Sequence, residues 1–122
     1  MDNPAPGFAE RPDHKIMLDT GPDPVTVMLD GEIVAMTTMA VMLREDGHPA
    51  RPYVPHADVT ATLTPTDKTT HCPFKGDTVY YDVTAGGTTR PASAWSYEAP
   101  YDEMTAIAGH VAFDEGFEVK VG

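Results

Sequence analysis

The sequence has one cysteine, one tryptophan and few basic residues. The shortage of basic residues and of cysteine excludes several kinds of binding partner and an intramolecular disulfide. Eight of its 122 residues are Lys or Arg and nineteen are Asp or Glu, which gives a formal charge of −11. Such an acidic chain lacks the cationic face that binds a nucleic-acid backbone or an anionic membrane surface. The lone Cys72 has no partner for an intramolecular disulfide. The sequence therefore favours the reducing cytoplasm.

Several longer patterns are also missing. No stretch approaches the roughly 18 apolar residues of a membrane-spanning helix, and the N-terminus has neither the basic nor the apolar part of a signal peptide. One cysteine and five histidines without paired spacing do not make a structural zinc site. The sequence thus predicts no metal and no other cofactor. The histidines concerned are His14, His48, His56, His71 and His110.

The residues that are present favour a mainly β fold. Ten Gly and twelve Pro favour turns and strands over long helices, and an apolar content of 41% is enough for one compact core. At this length the chain forms one domain. We predict an irregular N-terminal arm over residues 1–14 and a single small β domain over residues 15–122.

The clearest local signal is a hairpin. Residues 25–29 and 32–36 are strand-forming runs separated by Asp30-Gly31, a pair that supplies the two positive φ angles of a type I′ turn. Strict alternation over residues 59–63 predicts a half-buried strand. Further strands are predicted at residues 15–18, 78–83 and 94–97, with residues 88–90 pairing back after a turn at 85–87. The apolar run within residues 37–45 is too short to separate a strand from a helical turn by its period, and its β-branched residues favour the strand.

The C-terminal part carries two more predictions. Residues 102–108 form the one short helix, with Asp102 as its N-cap and Gly109 just past its end. Residues 111–113 and 117–121 then close the chain as a hairpin. The expected fold is a mainly β, single small domain with one short helix near the C-terminus.

Several motifs together resemble a known family. Asn-Pro-Ala-Pro-Gly-Phe stands at residues 3–8, Thr-His-Cys-Pro-Phe-Lys-Gly at 70–76, Ala-Trp-Ser-Tyr at 94–97 and Ile-Ala-Gly-His-Val-Ala-Phe at 107–113. In this order they resemble the family catalogued as domain of unknown function 427, also labelled nucleotidyltransferase-like. The resemblance implies antiparallel, folded or β-tent-like sheets. It implies no particular activity. Relatives often have a polar or basic residue near Met39, which this chain lacks.

The nucleotidyltransferase label finds no support in the sequence. Such enzymes hold Mg²⁺ with clustered carboxylates, commonly an Asp-x-Asp pair behind a Gly-Ser turn. Neither pattern occurs here, and there is no P-loop. Nucleotidyl transfer is therefore not the expected activity.

The distinctive motifs supply the candidate site. A thiol, a scarce cation and a pair of large amphipathic rings are a combination that a plain core does not require. Cys72 and Lys75 are the catalytic candidates, and the sequence leaves open whether there is catalysis. Each residue also has a structural alternative, with Cys72 and Trp95 as core side chains and Lys75 as a surface lysine in a turn. The proposed ligand-binding residues are Tyr53, Asp58, His71, Cys72, Lys75, Trp95 and Tyr97.

Two functions fit these residues. The first is the binding of a small ligand, anionic if Lys75 contacts it, in a pocket around residues 70–76 and 94–97. The alternative is a non-catalytic protein-interaction module that meets a basic partner through apolar surface and strand edges. The sequence does not determine the oligomeric state.

Overall fold

The computed structural model describes residues 3–21 and 23–122. All strand ladders among these residues are antiparallel. Apart from strands, the described residues contain one α-helix, α1 (Pro6–Glu10), and two 3₁₀ helices at His56–Asp58 and Asp102–Ile107. The strands are β1 (Ile16–Thr20), β2 (Val25–Leu29), β3 (Glu32–Thr37), β4 (Val41–Glu45), β5 (Arg51–Pro55), β6 (Thr62–Pro65), β7 (His71–Cys72), β8 (Gly76–Asp77), β9 (Val79–Ala85), β10 (Thr88–Ser96), β11 (His110–Phe113) and β12 (Glu118–Val121).

The strands form one large sheet and one small sheet. The large sheet has the order β1-β4-β5-β11-β10-β9-β6, the small sheet has the order β12-β2-β3, and β7 and β8 make a separate two-stranded ladder. The mainly β fold of a single small domain is therefore confirmed. Within the described residues no helix is long and apolar enough to cross a membrane.

Two cores lie on opposite faces of the large sheet. Val54 and Val111 belong to the first core, which the small sheet covers, whereas their chain neighbours Tyr53 and Ala112 belong to the second. This division follows from the alternation of side chains along a strand. Met104 of the second 3₁₀ helix packs in the second core.

The predicted hairpins at Asp30-Gly31 and after residue 85 are confirmed. Asp30 and Gly31 have φ angles of 49° and 84°, both in the left-handed region that a type I′ turn requires. β2 pairs with β3 on either side of this turn. β9 likewise pairs with β10 around Gly86-Gly87.

The N-terminal arm is more regular than predicted. Residues 1–2 lie outside the described part, but Pro6–Glu10 forms a short helix with proline in its first turn, where the missing N–H costs nothing. The segment also contacts the domain directly. The backbone N–H of Gly7 donates to the carbonyl of Pro73 at 2.9 Å.

The predicted helix over residues 102–108 is present but different in kind. It is a 3₁₀ helix, Asp102–Ile107, with non-helical geometry at Met104, and Tyr101 occupies the N-cap without a side-chain bond. The capping prediction for Asp102 is therefore wrong. Its carboxylate instead accepts the backbone N–H of Asn3 at 2.7 Å, so it stabilises the N-terminal segment.

The predicted C-terminal hairpin is wrong, and two strands are displaced. β11 pairs with β10 and β5, while β12 pairs with β2, so the chain crosses from one sheet to the other between them. The strand predicted over residues 37–45 begins only at Val41. The one predicted over residues 59–63 forms at Thr62–Pro65, after the first 3₁₀ helix.

Candidate functional site

A solvent-open cavity of about 320 Å³, here called the aromatic cavity, lies on the second-core side of the large sheet. It is lined by Tyr53, Tyr80, Trp95 and Tyr97, of which Tyr53 and Tyr97 are almost completely buried and Tyr80 and Trp95 are half-buried. Tyr53 lies in β5, Tyr80 in β9 and Trp95 near the end of β10, and Tyr97 directly follows β10. Neighbouring strands of the sheet thus bring rings from distant parts of the chain to one hollow.

The rings are ordered by mutual contacts. The ring centroids of Tyr53 and Tyr97 are 6.4 Å apart, and those of Tyr80 and Trp95 are 6.1 Å apart. The indole N–H of Trp95 donates to the phenol oxygen of Tyr53 at 3.3 Å, which leaves the phenol proton able to donate a further hydrogen bond. Burial raises the pKa of Tyr53 and of Tyr97. Both phenols are therefore neutral donors at physiological pH.

A buried ion pair forms one side of the cavity. Lys75 Nζ donates to Glu45 Oε1 at 2.7 Å, and the second carboxylate oxygen lies 2.9 Å from His14 Nε2. The side chains of Lys75 and Glu45 are only 13% and 12% exposed. Glu45 therefore joins three parts of the chain, namely β4, the turn between β7 and β8, and the segment before β1.

This geometry keeps both partners charged. Burial alone raises the pKa of Glu45, but the hydrogen bonds from Lys75 and His14 outweigh it and hold the pKa below its ordinary value of 4.5. Burial alone lowers the pKa of Lys75, but the bond to Glu45 together with the nearby Tyr53, Cys72 and Glu45 groups outweighs it, so the pKa lies above its ordinary value of 10.5. Lys75 is consequently a fixed ammonium and not a general base at neutral pH.

The second cation of the aromatic cavity is Arg51. Its guanidinium lies 4.9 Å from the ring centroid of Trp95, within the range of a cation–π contact. It donates to the carbonyl of Phe113 and, at 2.9 Å, to Glu115. The Glu115 side chain is 85% exposed, and an ion pair with so exposed a partner is weak. Arg51 is thus held in place while its carboxylate partner is exchangeable.

The structure brings together four of the seven residues proposed from the sequence. Tyr53, Lys75, Trp95 and Tyr97 all line the aromatic cavity. Cys72 does not line it; the thiol is half-buried and packs against the second core.

The other two proposed residues have local partners elsewhere. Asp58 lies in the first 3₁₀ helix and accepts a hydrogen bond from the Thr37 hydroxyl at 2.7 Å. The exposed ring of His71 lies 2.7 Å from an Asp77 carboxylate oxygen across the β7–β8 ladder. Both contacts are ones that stabilise a turn or a ladder.

Sequence reasoning missed Glu45, Arg51 and Tyr80. The signal for Arg51 was its scarcity, since it is one of only eight basic residues. Glu45 and Arg51 also flank the β4–β5 connection, so a correct hairpin assignment would have placed them at one end of the sheet. Nothing in the local sequence pairs Glu45 with Lys75, thirty residues away.

Together, the fold and the cavity define a small antiparallel β domain with a polar, aromatic-walled hollow. A comparison with models of protein families identifies the family. The chain belongs to the family described as Domain of unknown function (DUF427), whose model matches residues 17–121. A comparison with curated proteins finds no match.

Proposed function

We propose that this domain binds a small organic anion with a flat apolar part in the aromatic cavity. The observation that carries the proposal is the meeting of four aromatic rings and two cations, Arg51 and Lys75, around one open hollow. This happens in a chain of net charge −11, where basic residues are scarce. Flat aromatic walls suit a planar ligand, and a few convergent polar groups fix its orientation.

Arg51 is the anion contact in this proposal. Lys75 is already paired with Glu45, a carboxylate that is buried and cannot swing into solvent. Glu115, by contrast, is exposed and can leave Arg51 without uncovering apolar surface. An incoming carboxylate therefore replaces Glu115 on the guanidinium, for which its geometry is suited.

The remaining polar groups of the cavity would contact the rest of the ligand. The Tyr53 phenol can donate a hydrogen bond. The ion pair of Lys75 and Glu45 adds polar groups to one side of the cavity without a net charge. The proposal includes no covalent step at Cys72, because the thiol does not line the cavity. Nucleotidyl transfer is not part of it either, since the sequence has no Asp-x-Asp pattern.

Titration with benzoate tests the proposal. Trp95 is the one tryptophan of the chain, so intrinsic fluorescence reports on the cavity, and calorimetry gives an independent affinity. Benzoate should bind saturably, and benzamide, which has the same shape without the charge, should bind at least tenfold more weakly. Replacement of Arg51→Met should weaken benzoate by roughly tenfold or more.

Matched variants separate this mechanism from general charge effects. Arg44→Met removes another arginine with a surface carboxylate partner, Asp19, and should leave the affinity unchanged. Glu115→Gln should tighten benzoate because the internal competitor for Arg51 is gone. Cys72→Ser should have no effect. Equal losses in Arg44→Met and Arg51→Met, or no saturable benzoate signal, would contradict the proposal.

A further inference from the structure

A second hollow, here called the edge groove, lies between the small sheet and β4. It has a volume of about 340 Å³ and continues into a smaller one of about 100 Å³ that shares Met42 and Val121 with it. Its walls are mainly apolar, with Phe113, Phe117, Val119 and Val121 on the side of the C-terminal strand.

The edge groove exists because the two sheets differ in width. The small sheet ends at β12, whereas β4 and β1 extend the large sheet at its own edge. Val119 and Val121 point the same way from β12 and remain 40% and 56% exposed. From the large sheet, Met42 of β4 lines both parts of the groove. Apolar side chains from both sheets thus meet in a space that one further strand would fill.

We infer that the edge groove takes an extended peptide segment of a partner protein, added as a strand beside β12. In the described residues β12 pairs only with β2, so its outer edge is the free edge of the small sheet. A strand added to such an edge gains main-chain hydrogen bonds, and its alternate side chains enter the hollow. Val119 and Val121, two residues apart, match that repeat.

Charge defines the kind of peptide. Four carboxylates border the groove, Asp19 and Asp23 in the smaller part and Asp114 and Glu115 in the larger, against Arg44 and Arg51. Arg44 pairs with Asp19, Arg51 with Glu115, and Arg90, which lies over the Phe117 ring, with Asp114, so the border keeps one negative charge in excess, at Asp23. Together with the net charge of −11 of the chain, this excess favours a basic segment. The segment that fits has apolar residues at alternate positions and Lys or Arg at its ends.

A second copy of the chain fits less well than a peptide. Pairing of β12 with its own symmetry mate would bring the projecting β4 and β1 of both copies toward the same space. A single extended segment needs only the room above those strands. Self-association through β12 is therefore an outcome that would count against the inference.

The probe is a fluorescein-labelled peptide, acetyl-Lys-Val-Thr-Val-Thr-Val-Lys-amide. It should raise anisotropy saturably and shift backbone amide NMR signals chiefly in β12 and β4. Val121→Lys, at an exposed position, should weaken binding at least tenfold. Met36→Lys, a matched change of an exposed apolar residue on β3, should change it less than twofold.

Two control peptides and one measurement of mass complete the test. A peptide with N-methylated backbone nitrogens, and one with Glu in place of both Lys, should each bind at least tenfold more weakly. The inference is overturned if the probe does not bind, if N-methylation has no effect, or if Val121→Lys leaves binding unchanged. A wild-type dimer that Val121→Lys converts to monomer would also overturn it. Arg51 and Glu115 border both hollows, so benzoate is titrated without the peptide, and failure of the peptide to bind leaves that result unaffected.

Discussion

At the residue scale, Glu45 connects the candidate site to the stability of the fold. Its carboxylate lies between Lys75 and His14, and all three side chains are largely buried. A buried charge that loses its partner is far more costly than a surface ion pair that opens. The same pair that shapes the aromatic cavity should therefore be visible in unfolding experiments.

We predict that the contribution of Glu45 to stability disappears in acid. Its pKa in the folded protein lies below the ordinary 4.5, so the contribution is complete above about pH 5 and is lost as the pH falls through the folded pKa. At neutral pH, Glu45→Gln should cost about 3 kcal/mol of unfolding free energy, because Lys75 stays charged without its partner.

Urea unfolding at several pH values measures this difference. The gap between wild type and Glu45→Gln should shrink steadily below pH 5. Asp19→Asn, which removes an exposed carboxylate paired with Arg44, is the control and should cost less than about 1 kcal/mol. A gap that stays constant down to pH 3 would show that Glu45 acts through packing alone.

At the scale of elements, the N-terminal helix is held by a close approach that only glycine permits. A Cβ on Gly7 would lie 2.8 Å from the Phe74 ring and 2.9 Å from the Pro73 carbonyl oxygen. Phe8 also meets the Phe74 ring edge-on, with centroids 4.9 Å apart. Pro73 and Phe74 thus form the surface against which α1 packs. They belong to the same segment, residues 70–76, that contains Lys75.

We predict that Gly7→Ala loosens this segment. The clash with backbone and ring atoms should cost about 1–3 kcal/mol, and amide exchange over residues 5–14 should accelerate. Gly21→Ala is the matched control, because a Cβ there meets nothing within 4 Å. Unchanged exchange in Gly7→Ala would mean that Pro73 and Phe74 can move aside freely.

At the scale of the whole molecule, charge opposes compaction. Nineteen acidic residues against eight basic ones leave an excess of eleven negative charges on a 122-residue domain. Such self-repulsion destabilises the compact state and is screened by salt. The ion pair of Lys75 and Glu45, being buried, should respond much less.

We predict that the melting temperature rises with salt. Between about 10 mM and 150 mM NaCl the screening length shortens from roughly 30 Å to 8 Å, and a rise on the order of 2–5 °C should follow. The Glu10→Gln, Glu118→Gln double variant removes two exposed acids and should show a smaller rise. Scanning calorimetry provides the measurement; a fall in melting temperature would indicate that surface ion pairs dominate.

Local chemistry explains which structural predictions succeeded. The turn at Asp30-Gly31 follows from two positions that tolerate positive φ, and its identity does not depend on the rest of the chain. The capping of residues 102–107 failed for the opposite reason. Asp102 and Glu103 bind backbone N–H groups of Asn3 and Ala5, about a hundred residues earlier.

The sequence by itself determined the mainly β class, the tight turns, the acidic surface and the family, because each depends on composition or on neighbouring residues. Only the tertiary structure decided that β11 and β12 separate into different sheets and that Arg51 and Glu45 join the rings around one hollow. Strand pairing and the walls of a cavity depend on which apolar faces pack together. The entropy of closing a loop changes so slowly with loop length that it does not select which strand pairs with which.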